Sequence, residues 1–80
     1  MAKRSISGAE IKSYLDDALR RNETCKGVTV ARVYEGEMKS ANWDAECEHQ
    51  LGEPVSPDCQ RAFIVLKQVL QQQYDLLIQD

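Results

Sequence analysis

The chain has 80 residues, of which 42% are hydrophobic and 29% are charged, and its formal net charge is −3. These values are typical of a globular protein and exclude a disordered or fibrous chain. We assign residues 1–80 to a single small domain. Because a domain of this length buries only about 60 to 65% of the surface of its unfolded chain, we expect marginal stability.

Charge is distributed unevenly along the sequence. Residues 1–40 hold eight basic and six acidic residues, a net +2, whereas residues 41–80 hold two basic and seven acidic residues, a net −5. This asymmetry is typical of ordinary solvated surface. It could also attract a basic partner to the second half of the chain, or orient two copies of the chain against each other.

Membrane and secretory signals are not found in the sequence. No apolar run approaches the roughly 20 residues that a membrane span needs, and the first five residues lead toward a helix cap without the apolar stretch of a secretory signal. We therefore expect no membrane partner and a cytoplasmic location. In such a reducing compartment, Cys25, Cys47 and Cys59 are expected to remain free thiols.

The first predicted element is a helix that begins near Gly8. Ser7 and Glu10 have the spacing of a capping box. Apolar residues then recur at helical spacing and form one stripe: Ile11, Tyr14, Leu15, Ala18 and Leu19. The pattern predicts a helix that runs to Arg21 or Asn22.

Two strand-like segments follow. Residues 28–34 are mostly β-branched or aromatic and lie between two glycines, which predicts a strand. Residues 35–41 are polar and predict a hairpin loop, whose register the sequence leaves open. From Trp43 to Leu51 apolar and polar residues alternate, which predicts a second strand with one buried face and one wet face.

The last predicted element is a long helix. Ser56 supplies a capping hydroxyl, Pro57 suits the first helical position, and the helical pattern continues without interruption to Ile78. We interpret the three glutamines 71–73 as neutral helix formers without a function. The apolar residues occupy more than half of the circumference: Cys59, Ala62, Phe63, Val65, Leu66, Val69, Leu70, Tyr74, Leu76 and Leu77. Such a helix is expected to contact more than one surface.

Together these elements predict an α+β domain of order αββα, with two helices packed on an antiparallel β-hairpin. A lone hairpin is marginally stable, and its two edges carry unpaired backbone groups. Two copies joined edge to edge would form a four-stranded antiparallel sheet, with the extra apolar flank of the second helix against its symmetry mate. We therefore predict a homodimer, with a monomer as the alternative. The predicted interface contains Trp43, Val65, Val69 and Leu76.

Four residues are of the type that binds zinc: Cys25, Cys47, His49 and Cys59. They lack the short Cys-x2–4-Cys spacing that usually holds zinc, and cysteine is often buried as a small hydrophobic residue. The sequence does not decide whether the four converge in space. Cys47 and His49 share a predicted strand face, as a thiol nucleophile and its base would, but no third orienting group is identifiable. We predict no catalytic, cofactor-binding or metal-binding residue, and a Cys/His metal-binding or thiol-reactive protein is the alternative.

Asp44, Glu46 and Glu48 form a row of carboxylates on the polar face of the second strand. Such a row could hold a hard cation or dock a basic partner, but the pattern of a calcium loop is missing. The row is typical of the solvent face of a strand, or of cross-strand pairing with Arg32 or Lys26.

The order of elements is similar to that of the double-stranded RNA-binding domain, which has a helix, three strands and a helix. The chain departs from it by lacking a third strand and by opening its second helix with Pro57, Asp58, Cys59 and Gln60 in place of a basic cluster. Nucleic acid is therefore not an expected partner, and a weak nucleic-acid-binding domain is a further alternative. The leading prediction is a small protein-interaction or accessory module, which has no enzyme activity.

Overall fold

The computed structural model describes residues 3–37 and 41–77 of the chain. Their elements in chain order are β1 (Arg4–Ile6), α1 (Gly8–Arg20), a 3-10 turn (Glu23–Cys25), β2 (Val28–Glu35), β3 (Trp43–His49), α2 (Pro57–Gln73) and β4 (Tyr74–Leu76). β2 and β3 form an antiparallel hairpin, and β1 and β4 form a parallel pair. The predicted α+β class is confirmed, whereas β1 and β4 are missing from the predicted order αββα.

Helix α1 begins where the capping signal predicts. The Ser7 hydroxyl accepts a hydrogen bond from the backbone amide of Glu10 at 3.1 Å. Ile11, Leu15 and Leu19 of the predicted stripe are fully buried and form the centre of the core together with residues of the hairpin. The apolar face of α1 therefore packs on the hairpin, as the helical spacing of its apolar residues predicts.

The carboxylate of Asp16 joins α1 to β2. Its Oδ1 accepts hydrogen bonds from the Val30 amide at 2.8 Å and the Thr29 hydroxyl at 2.9 Å, and its Oδ2 accepts one from Lys12 at 2.7 Å. Burial opposes ionisation of this carboxyl, but the hydrogen bonds outweigh burial and hold the pKa of Asp16 below its usual value. A charged side chain thus satisfies a backbone amide that the hairpin leaves unpaired.

The register of the hairpin places Val28 opposite His49 and Glu35 opposite Trp43, with an irregularity in β2 between Val30 and Arg32. Trp43 is fully buried, which confirms the predicted inner face at this end of β3. The alternation fails at its other end, where residue 51 lies in a turn with 78% of its surface exposed. Residues 38–40 of the predicted loop lie outside the described residues.

The prediction that the second helix continues to Ile78 is wrong, since α2 ends at Gln73. Tyr74 has an extended backbone, with φ −135° and ψ 145°. β4 then pairs in parallel with β1, so that Ile6 lies opposite Leu76. Ile78 itself lies outside the described residues.

Side chains at the start of β3 explain why the helix stops. The Asn42 amide group accepts a hydrogen bond from the Leu76 backbone amide at 2.7 Å and donates one to the Leu76 carbonyl at 3.0 Å. The indole N–H of Trp43 donates to the Tyr74 carbonyl at 3.1 Å. These three bonds satisfy backbone groups in an extended conformation, so the segment gains partners that a further helical turn would not provide.

Cys25 and Cys59 form a disulfide, so the expectation of free thiols is wrong for these two cysteines, and Cys47 is the free one. The bond links the 3-10 turn after α1 to the first turn of α2, across 34 positions of sequence. Both residues are buried in the core, where the packing of these two elements brings them together. A crosslink of this span contributes roughly 2 to 4 kcal/mol to stability by restricting the unfolded chain.

We expect Asp16→Asn to lower the free energy of unfolding at pH 7 by about 1 to 2 kcal/mol, because it removes a charge that accepts three hydrogen bonds at a partly solvated position. Since folding lowers this pKa, the contribution is present above the unfolded-state pKa of about 4 and fades as the pH falls through the folded-state value. Urea denaturation followed by circular dichroism should therefore give a smaller difference between the two proteins in acid than at pH 7.

Asp17→Asn is the matched control. Asp17 is the adjacent carboxylate on α1, it is exposed, and its ion pair with Arg20 is an ordinary surface contact. Its loss should change stability by under about 0.5 kcal/mol. Equal losses for the two substitutions at pH 7 would show that the link from Asp16 to β2 contributes nothing beyond surface charge.

Candidate functional site

The four residues of zinc-ligand type do not form a metal site in the structure. Within residues 3–37 and 41–77, no group of three or more His, Cys, Asp or Glu side chains is placed to hold a metal ion. The sulfur atoms of Cys25 and Cys59 are bonded to each other, so neither offers a thiolate. His49 Nδ1 accepts a hydrogen bond from the Leu51 amide at 3.1 Å. The histidine therefore stabilises the turn that follows β3.

Gly27 shows how closely His49 packs against the start of β2. A Cβ atom at Gly27 would lie 2.9 Å from Nε2 of His49, and the backbone φ of 81° is one that side chains disfavour. The imidazole thus occupies space that only a glycine leaves open.

Cys47 lies half-buried in a groove of about 360 Å³ between β3 and α2, whose lining includes Phe63, Ile64 and Lys67. Burial raises the pKa of the Cys47 thiol above its usual value. At neutral pH the sulfur is therefore a protonated thiol, the form that is a poor nucleophile and a poor metal ligand.

Ion pairs neutralise two of the three carboxylates in the predicted row. Asp44 accepts hydrogen bonds from the Tyr34 hydroxyl at 3.3 Å and the Ala45 amide at 2.8 Å, and it lies 2.8 Å from Lys67. Burial disfavours its ionised form, but these partners outweigh burial and lower the pKa of Asp44. In this row Glu46 pairs with Arg32 at 3.0 Å, which confirms the cross-strand partner that the sequence suggested.

Two neighbouring exposed apolar residues lie on the second helix. Val65 and Val69 are one turn apart on α2 and are 58% and 47% exposed. Val65 also lines an open groove between α2 and α1, with Ala18, Ala62 and Leu66 in its walls. We call these five residues the helix face. Its members are aliphatic and adjacent, which distinguishes the surface from the single exposed apolar residues that every protein has.

Charges of both signs border the helix face. Arg21 and Glu23 line the groove from the end of α1 and the turn after it, and Arg61 lines it from α2. Arg61 also lies 3.8 Å from Asp58, with both side chains well exposed. An apolar centre with a mixed-charge border has the composition expected of a protein contact surface.

The four residues predicted for the interface lie in different environments. Val65 and Val69 are exposed members of the helix face, and their role in an interface stays a prediction. Trp43 has no exposed area at all, so its side chain is a core anchor and cannot contact a second molecule in this fold. Leu76 is half-buried in β4, packs against the core, and lies near Gly8. The burial of Trp43 argues against its place in the interface, and the role of Leu76 there stays a prediction.

Sequence reasoning missed the roles of two further residues. Tyr14 was assigned to the buried stripe of α1, but it is 45% exposed and stacks on Tyr74, with ring centroids 5.8 Å apart. Gln71 was assigned no role, but it is buried and donates a hydrogen bond to the Trp43 carbonyl at 2.8 Å. A signal existed for Gln71, because it lies eight residues after the buried Phe63 on the same side of α2.

Side chains occupy two backbone groups on the outer edge of β3. The Gly36 amide donates to the Asn42 carbonyl, so Asn42 faces β2. Because the backbone groups of successive residues in an antiparallel strand point alternately toward and away from the partner strand, those of Trp43 and Ala45 point away from β2. Gln71 donates to the Trp43 carbonyl, and the Asp44 carboxylate accepts from the Ala45 amide. Such caps and charges are how sheets prevent pairing with another strand.

No protein-family model matches the chain, and no curated protein or solved structure shows significant similarity to it. In the described part of the chain, neither helix is long and apolar enough to cross a membrane. The helix face is therefore proposed as the functional site on its geometry and chemistry alone.

We expect the oxidised protein to contain one thiol that reacts slowly. Cys47 should react with a chromogenic disulfide reagent more slowly in the native protein than in guanidinium chloride, because burial keeps its sulfur protonated. Reagent consumption under the two conditions measures both the number of thiols and their rates.

Cys47→Ala is the control, since it should abolish the reaction under both conditions. Three thiols titrating in denaturant would contradict the disulfide between Cys25 and Cys59. A native rate equal to the denatured rate would contradict the burial of Cys47.

Proposed function

We propose that the chain is a protein-interaction module that forms a homodimer through its helix face and carries out no chemistry of its own. The observation that carries the proposal is the pair Val65 and Val69, both about half-exposed on α2, of which Val65 lines the groove to α1. Fully burying a valine side chain contributes about 1.5 to 3 kcal/mol. Covering these two half-exposed valines on each of two copies therefore supplies a substantial driving force for association.

A second copy is the occupant that the border charges favour. In an isologous interface each surface meets itself across a two-fold axis, so it must carry both charge signs to be complementary. The border of the helix face carries both signs, since Arg21 and Arg61 are positive and Glu23 is negative. A partner of one strong charge sign would leave part of this border unmatched.

Pairing through the sheet is the other form of the predicted homodimer, in which two hairpins make four antiparallel strands. A carboxylate accepts an outward amide at each edge, Asp16 that of Val30 on β2 and Asp44 that of Ala45 on β3. α1 packs mainly on β2 whereas α2 packs beside β3. Pairing through β2 would therefore bring the α1 helices together and leave Val65 and Val69 uncovered. For this reason we favour the helix face over the sheet edge.

Val69→Glu should shift the protein from dimer to monomer, because it places a charge at the centre of an apolar contact. Sedimentation equilibrium at several protein concentrations should give a mass near twice 9.1 kDa for the natural chain and near 9.1 kDa for the variant. Circular dichroism should show that the variant remains folded, since residue 69 is half-exposed in the single chain.

Ile64→Glu is the matched control. Ile64 lies on the same helix with the same exposure of 47%, but on the other flank, beside Cys47. It should leave the dimer intact. Dissociation by Ile64→Glu alone would move the interface to that flank, and a natural chain of about 9 kDa at high concentration would overturn the homodimer.

The cytoplasmic location expected from the sequence stays a prediction, and the disulfide between Cys25 and Cys59 counts against it, because reducing compartments keep thiols unpaired. Acid quenching of cells, followed by alkylation in denaturant and mass measurement, tests the location. Three modified cysteines are expected in the cytoplasm, and one in an oxidising compartment. Metal analysis of the purified protein and titration with RNA test the metal-binding and nucleic-acid alternatives.

A further inference from the structure

The disulfide lies at one end of the helix face. Cys25 is the last residue of the 3-10 turn, and Asn22 and Glu23 at the start of this turn line the groove. Cys59 lies in the first turn of α2, just before Arg61 and Ala62, which line the groove from the other side. The Cα atoms of the two cysteines are 5.0 Å apart. The crosslink therefore sets the distance between the two walls of the groove at this end.

Among the described residues, few hydrogen bonds join the 3-10 turn to the start of α2, where Cys59 and Phe63 are held by burial in the core. The Ser56 hydroxyl donates to the Thr24 carbonyl at 3.4 Å, near the limit of a hydrogen bond, at an exposed position. The other end of α2 is held differently, by the hydrogen bond of Gln71 to Trp43 and that of Trp43 to Tyr74. Loss of the disulfide should thus loosen the first half of α2 and leave its last half in place.

We infer that the oxidation state of Cys25 and Cys59 regulates the helix face, with the disulfide form competent for self-association and the dithiol form impaired. This inference rests on the proposed function, since it concerns the same surface. A rigid surface binds more tightly because less conformational freedom is lost on association. The disulfide supplies that rigidity at the end of the groove where hydrogen bonds do not.

The chemical step is a reversible thiol–disulfide exchange. A dithiol reductant attacks one sulfur, forms a mixed disulfide, and is released as its own cyclic disulfide. Two electrons and two protons pass to the protein, the S–S bond between Cys25 and Cys59 breaks, and two thiols result. Because both cysteines are buried, the reductant reaches them only when the turn at residues 23–25 opens. The switch is therefore slow compared with association itself.

The test compares four samples: oxidised natural protein, natural protein reduced with dithiothreitol, the Cys25→Ala/Cys59→Ala double variant, and Cys47→Ala as control. Sedimentation equilibrium gives the dissociation constant of each sample. Hydrogen exchange read by mass spectrometry on peptides gives local protection, and circular dichroism reports the fold. We expect Cys47→Ala to match the oxidised protein. In the reduced protein and the double variant we expect association weaker by about tenfold or more.

Hydrogen exchange separates regulation from a general loss of structure. In the reduced protein and the double variant, peptides from residues 56–66 should exchange faster while peptides from residues 71–77 remain protected. Association that is unchanged by reduction and by the double variant would overturn the regulatory role but leave the homodimer standing. An oxidised natural protein that is monomeric at high concentration would overturn the proposed function itself. Global unfolding of both disulfide-free samples would also overturn the regulatory role, since the crosslink would then be needed for the whole fold.

Discussion

The hydrogen bonds from Asn42 and Trp43 to the C-terminal segment are the constraint on which the rest of the structure depends. A buried indole N–H needs an acceptor, and the Tyr74 carbonyl is available to Trp43 only if the helix has ended. Asn42 then satisfies both backbone groups of Leu76, as a neighbouring strand would. The end of α2, the parallel pairing of β4 with β1 and the burial of the tryptophan follow from one local arrangement.

This arrangement also determines where the apolar surface of the molecule lies. Had α2 continued past Gln73, Tyr74 and Leu76 would have extended its apolar flank. Instead the backbone turns into β4, where Tyr74 stacks on Tyr14 and Leu76 packs against the core. What remains exposed on α2 beside the groove is concentrated at Val65 and Val69. The exposed apolar flank of α2 is thus shorter than the sequence pattern implied, because Tyr74 and Leu76 do not extend it.

Local signals in the sequence were sufficient for most of the fold, because each acts within a few residues. Ser7 and Ser56 begin their helices as predicted, since a capping hydroxyl needs only the backbone three residues ahead. Contacts between distant segments could not be predicted in this way. β1 and β4 are three residues long, too short for a recognisable period, and the disulfide joins residues 34 positions apart. For the site, the inner position of Trp43 on β3 was predicted, but the hydrogen bond of its indole to Tyr74 was not, because that bond depends on the end of α2.

The hairpin edges and the exposed side of α2 differ in charge. On the sheet, Asp16 accepts the outward amide of Val30 and Asp44 accepts that of Ala45, so carboxylates stand at both outer edges of the hairpin. Another strand that paired there would have to displace a hydrogen-bonded charge and leave it without a partner, at a cost that surface hydrogen bonds do not offset. No such barrier stands in front of Val65. The outer edges of the hairpin thus carry hydrogen-bonded carboxylates, whereas Val65 and Val69 on α2 present apolar surface to solvent.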